Sequence, residues 1–449
     1  MEATTHTPFW AVLPFLVYLL SIAFIPIALG HFWESNRNKL IVALVASSPV
    51  LVFLLSGEGG AWLLGRTACD YVAFMALLAA LFTISGGICL RGALAGTPLV
   101  NTTFLAVGAV LGSLVGTTGA SVLLIRPMLR ANRRRAYATH VVVFFIFIVS
   151  NGAGLLTPLG DPPLFLGFLR GVPFTWTFRL APQWALVNGA LVTIFAVIDS
   201  LVLARERRTP APHRLAEPPV LAPDEPERLR LDGALNLVWL LGILLVVFFI
   251  GAYGERLFGD GLLRTAVQVA GTLGCAALSF RTTHRRVHEA NHFSWAPIVE
   301  VAAVFVGVFI TMVPAMSFLG ERGAALGITK PWQFFWASGA LSSVLDNAPT
   351  YLTFASLAAG VAGGPGAAAL SPDDLGALAA HPVGQQLLTA ISCGAVFMGA
   401  VTYMGNGPNF MVKAIAEQHH VRMPSFFGYT LWSFAILLPV FGVVSKVFF

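Results

Sequence analysis

Two short stretches place oxygen-bearing side chains beside helix breakers inside otherwise apolar sequence. Residues 157–163 read TPLGDPP and residues 402–408 read TYMGNGP. They match at four positions of the same spacing, three identical and one Asp/Asn: Thr157 with Thr402, Gly160 with Gly405, Asp161 with Asn406, and Pro163 with Pro408. Each follows a long apolar run, and each lies downstream of a second polar patch, GTTGAS at 116–121 and LDNAPT at 345–350. Proline and glycine interrupt a helix, and an Asp at membrane depth costs about 2.5–3.5 kcal/mol on insertion scales. What such a stretch supplies in return is an oxygen cage. Free carbonyls at a break, hydroxyls, amides and a carboxylate suit a hard cation, whereas half-helix N-termini suit an anion.

The candidate ligands follow from residue type. Asp161 and Asp346 are the acids, Asn151, Asn347 and Asn406 the amides, and Thr117, Thr118, Ser121, Thr157 and Thr350 the hydroxyls. Glu300, near the start of a later apolar run, is a candidate for a proton path, or an interfacial residue paired with Arg285 or Arg286. Both aspartates also have a plain structural reading. Asp161 before Pro-Pro can cap a helix, and Asp346 can cap or close a turn. Asp199 lies near a basic linker and reads as a snorkelling residue or a partner of Arg205. His140 stands at a span start, and His284, His288 and His292 read as a solvated loop cluster. Arg126 reads as a headgroup anchor. A desolvated carboxyl holds its proton to higher pH than an exposed one, so a buried Asp pair can hold either a proton or Na⁺ and exchange them.

The elements that position these residues are membrane spans. The chain of 449 residues is 57% hydrophobic and 11% charged, against about 25% charged in an average soluble domain. Apolar runs long enough to cross the hydrocarbon core recur throughout, and none alternates with the period of a barrel strand. The fold class is all-α and polytopic. Spans are expected at 10–29, 40–56, 71–90, 136–160, 183–204, 233–254, 263–279, 295–319, 386–412 and 427–447, with re-entrant hairpins at 98–125 and 332–358. With both hairpins re-entrant, most Lys and Arg fall on one side, which the positive-inside bias makes cytoplasmic. That bias accounts for the net charge of +6 without nucleic acid. The Pro-rich, mixed-charge segment 205–231 reads as a mid-chain cytoplasmic linker. The Gly/Ala/Pro stretch 358–382 reads as an acidic outer loop. The domain division expected is scaffold spans at 1–90 and 232–319, with repeat cores at 91–204 and 320–449. The N-terminus reads as a retained span rather than a cleaved signal. Cys69, Cys89, Cys275 and Cys393 read as packing residues. The same order of hairpin and broken span in both halves, entering from opposite sides, describes an inverted repeat with its site near the midplane.

SNGAGLLTPLGDPP (150–163) resembles the N-x-G-G-x-x-T/S-P-x-G-D signature of sodium/proton antiporters in the ion transporter superfamily. SSVLDNAPT (342–350) resembles the S-x-x-x-D-N-x-P of the same branch, and APIVEVAAVFVGVFITMVP (296–314) resembles a span of citrate-transporter-like relatives. The superfamily also holds arsenite permeases and divalent-anion symporters. The resemblance implies inverted five-span repeats, hairpins meeting at the centre and a homodimer with scaffold and moving parts. It departs at the first tip, which lacks an Asn or Asp, and at Asn406, where an acid would make the repeat symmetric. The expected function is sodium/proton antiport in a bacterial inner membrane, with no cofactor beyond the transported ions and with lipid and a small ion or carboxylate as partners. The rivals are a cation-coupled citrate symporter, arsenite export and, remotely, an intramembrane aspartyl protease. The protease reading lacks GxGD, because Pro158 stands at its first position.

Overall fold

The computed structural model describes residues 7–57, 59–92, 94–208, 230–259, 261–291, 293–322, 327–363, 370–371 and 374–449. Among these, nine helices are long and apolar enough to cross a membrane. The one sheet among them pairs Cys89–Arg91 antiparallel with Arg230–Asp232, an element absent from the sequence expectation.

An outer bundle is built from Leu13–Ala28, Asn36–Ser56, Gly60–Gly86, Asn236–Phe258, Leu262–Thr282 and Ala296–Arg322. Ala296–Arg322 is its hub, packing on Asn36–Ser56, Gly60–Gly86 and Leu13–Ala28. These helices leave leucines, valines and isoleucines such as Leu40, Ile41, Leu44, Val45 and Val52 exposed. That is the pattern of a surface that meets lipid rather than water.

The inner elements are short and interrupted. The first hairpin is Pro98–Val115 and Thr117–Asn132, and the second is Pro331–Ser342 and Asn347–Ala362. Asn101 and Asn132 exchange amide bonds of 2.9 and 2.7 Å, so the first hairpin leaves on the face where it entered. Its turn is Gly116, at φ +81°, a backbone that glycine adopts without strain. The first broken helix runs Thr139–Ile148 and then Pro162–Leu169; the second runs Pro382–Met398 and then Gly407–Gln418. The ten and eight residues of the first pair make about 15 and 12 Å at 1.5 Å per residue, each near half of the roughly 30 Å hydrocarbon core. Every residue from His140 to Leu155 is buried, as is every residue from Ile391 to Ala400. The broken helices are therefore the centre of the molecule. Ala181–Arg208 and Phe426–Phe448 flank them.

Several boundaries differ from the sequence expectation. The third span begins at Gly60, not 71, because its polar residues are accommodated: Arg66 lies over the Trp62 ring and Asp70 pairs with Arg170. The broken helices extend to Leu169 and Gln418, past the expected ends at 160 and 412, because a proline in the first turn restarts each helix. Most of the expected linker, residues 209–229, lies outside the described residues, as does His292. The stretch 358–382 contributes the end of the second hairpin and a short helix, Leu375–Ala380; its residues 364–369 and 372–373 lie outside the described residues.

Candidate functional site

The two breaks are built alike. Asp161 and Asn406 both have extended backbone, at φ −146° and −153°, as residues before a restarting helix do. Thr157 donates to the carbonyl of Ser113 in the first hairpin, and Thr402 donates to the carbonyl of Ser343 in the second. Each threonine hydroxyl then accepts an amide two residues on, Leu159 at 3.2 Å and Met404 at 3.1 Å. Gly160 lies against the Gly154 backbone and Gly405 against that of Gly399, too close for any β-carbon. The sequence repeat is thus a repeat of hydrogen bonds.

The halves also cross. Pro162–Leu169 packs on Asn347–Ala362, and Gly407–Gln418 packs on Thr117–Asn132. Helices beginning at Thr117, Pro162, Asn347 and Gly407 therefore start around one point.

Asp161 occupies that point, 1% exposed. Its side chain makes no capping bond, so the plain reading as an N-cap does not hold. Instead it accepts from the Thr117 hydroxyl at 3.0 Å, the Asn406 amide at 3.4 Å and the Asn347 amide at a shorter distance. Among the described residues it forms no ion pair with Lys, Arg or His. Three hydrogen bonds to a charged group, at about 1.5–3 kcal/mol each, are comparable to a desolvation penalty of several kcal/mol per buried ion. The donors hold the carboxylate in place without supplying an opposite charge.

Oxygens face the same point. The Asn347 side chain is fully buried, and its Oδ1 has no hydrogen-bond partner among the described residues. Asn406 also donates to the Ser150 carbonyl at 3.2 Å and to Asn151 Oδ1 at 3.1 Å. Ser121 and Ser150 share a hydroxyl contact of 2.8 Å. Asn409, which the sequence reading did not single out, accepts from Asn151 at 2.7 Å and ties the second break to itself through the carbonyls of Gly399 and Thr402. Its only sequence signal is its place three residues after Asn406, one helical turn on. Ser113, which also donates to the Ala153 carbonyl, was missed because a serine inside an apolar arm resembles packing.

Other candidates fall elsewhere. Asp346 is half-buried and does cap its helix, accepting the Ala348 amide at 3.1 Å, so its plain reading holds. Thr350 bonds back to the Asp346 carbonyl at 3.0 Å, one turn behind the tip. Glu300 meets Lys39 at 2.6 Å, neither with Arg285 nor beside Asp161. Asp199 is fully buried and binds Arg135 and His140, each at 2.8 Å, and Asn101 at 2.9 Å, not Arg205. His284 is exposed, but His288 packs between Phe280 and Phe293, and that burial holds its imidazole below the usual histidine range.

A cavity of about 80 Å³ adjoins Asp161. Thr117, Thr118, Gly116 and Gly119 of the first tip, Gly160 and Pro162 of the break, Phe74, Leu78 and Phe82 of Gly60–Gly86, and Pro297 and Ile298 line it. Thr117–Asn132 opens on it with no side-chain cap.

Paired hairpins and broken helices closing on a buried carboxylate define a secondary transporter, working on gradients through a membrane. The chain belongs to the family described as Putative citrate transport, whose model matches residues 4–449. No curated protein matches the sequence.

Proposed function

We propose that this transporter is driven by a monovalent cation bound at Asp161, with Na⁺ and H⁺ competing for the carboxylate in sodium/proton exchange across a bacterial inner membrane. The observation that carries the reading is Asp161 itself: buried, held by neutral donors and, among the described residues, without a basic partner. A charge so placed needs a counter-ion that comes and goes. Asn347 Oδ1, the Thr117 hydroxyl and the carbonyls of the breaks supply the oxygens a hard cation takes. Proton and Na⁺ exclude one another there, because either neutralises the same carboxylate.

A second reading, cation-coupled carboxylate symport, is favoured by the family match and by the uncapped start of Thr117–Asn132 on the cavity. A helix N-terminus attracts a carboxylate. In that reading the cation at Asp161 screens the acid from the anion.

Proteoliposomes with an imposed pH gradient decide between them, given Na⁺, Li⁺, K⁺, citrate and arsenite in turn. Sodium/proton exchange predicts that Na⁺ alone collapses the gradient. Movement that requires citrate favours the second reading, and no response to any of these overturns both.

A further inference from the structure

The ion pair of Asp70 with Arg170 lies past one end of the cavity beside Asp161, a turn before Phe74 on one helix and just beyond Phe165 on the other. From Gly160 and Asp161 the cavity follows Gly60–Gly86 through Phe74 and Leu78 to Phe82, and reaches Pro297 and Ile298 at the start of Ala296–Arg322. That end belongs to the arginine-rich face: Gly60–Gly86 leads there into Cys89–Arg91, where Arg130 donates to the Leu90 carbonyl at 2.6 Å. The lining stops on the other side at Phe165.

Beyond Phe165 the side chains pack closely. Arg170, just past the end of Pro162–Leu169, is 6% exposed, and its Nε lies 3.1 Å from Oδ2 of Asp70. Asp70 is carried by the outer bundle and Arg170 by the broken helix, so the pair ties the two together. Around it, Phe168 packs on Gly251 so closely that no β-carbon fits there, and Phe174 meets Phe248 with ring centroids 5.6 Å apart. The Leu375 amide donates to the Arg170 carbonyl at 2.8 Å. Arg170 is buried and Asp70 is 16% exposed, so separating the pair strands chiefly the guanidinium, which must reach water or another partner.

We propose that the Asp70–Arg170 pair is the closing contact of the path between Asp161 and the face opposite the arginine-rich one, and that this conformation is open only toward the arginine-rich face. The proposal rests on the transporter reading but not on which ion is carried. For the path to open the other way, the broken helix must shift against the outer bundle and the pair must part.

Labelling tests this without any substrate. In a background with Cys69, Cys89, Cys275 and Cys393 changed to Ser, Phe165→Cys reports on the cavity and Ile298→Cys on its mouth. Membrane vesicles of both orientations are treated with an impermeant maleimide. Both reporters are expected to react from the arginine-rich face only. Asp70→Asn or Arg170→Gln should raise labelling of Phe165→Cys from the opposite face several-fold and leave Ile298→Cys unchanged. The double exchange Asp70→Arg with Arg170→Asp should restore the one-sided pattern. Unchanged labelling in the single variants, or parent labelling from the opposite face, overturns the proposal. If the single variants do not fold, Asp70→Cys with Arg170→Cys joined by a short thiol cross-linker should stop gradient-driven flux reversibly; full flux in the cross-linked protein overturns it equally.

Discussion

The two candidate acids sit in different chemical situations. Asp161 spends its oxygens on Thr117, Asn347 and Asn406, whereas Asp346 spends one on a backbone amide of its own helix. Asn caps a helix about as well as Asp. Asp346→Asn is therefore expected to keep most ion-coupled flux, and Asp161→Asn to lose it while still folding; flux per molecule of reconstituted protein checks both. Asn347→Ala removes both a donor to Asp161 and the unpartnered oxygen. It should weaken cation affinity about tenfold, the equivalent of roughly 1.4 kcal/mol, as read by the Na⁺ concentration at half-maximal flux. Much of this was legible at the residue level, because Asp, Asn and Thr beside Gly and Pro in apolar sequence have few other uses. Which acid caps and which is held by neutral donors was not legible. That depends on donors 186 and 245 residues away in the chain.

At the scale of elements, the breaks hold because small residues and threonine hydroxyls let backbone approach backbone. Gly160→Ala and Gly405→Ala would drive a β-carbon to within 2.4 and 2.6 Å of a carbonyl oxygen, so each should abolish transport and lower the melting temperature sharply. Thr402→Val removes two side-chain bonds, the one given to the Ser343 carbonyl and the one accepted from the Met404 amide, and should cost about 2 kcal/mol, read as a lower melting temperature. The symmetry of Thr157 and Thr402 was visible as a spacing, but their acceptors, Ser113 and Ser343, were not, since a carbonyl leaves no mark in sequence. The Asp199 cluster was misjudged for a related reason. Its position near a basic linker suggested Arg205, yet the first hairpin brings Asn101 and Arg135 to it, and the start of the broken helix brings His140. Removing one partner of such a buried pair costs about 3–5 kcal/mol. Asp199→Asn is expected to melt well below the parent and, where it folds, to retain its ion preference.

For the whole molecule, composition and the recurrence of apolar runs were enough to give a polytopic helical fold, and the paired helix-breaking motifs with the Lys/Arg bias pointed to two hairpins and two broken helices. Span ends were harder, as at Gly60, because an Asp and an Arg that look like a loop are carried inside a helix when each finds a partner. What unites the scales is that the crossed halves bring Asp161 together with donors from both and, among the described residues, with no fixed positive charge. The most direct test is proton release on Na⁺ addition to the purified protein near neutral pH, in weak buffer with an indicator dye. The parent should release protons as Na⁺ binds, saturably, and Asp161→Asn should release none. Equal release from Asp161→Asn, or Na⁺ binding by the parent with no proton released, would contradict the account.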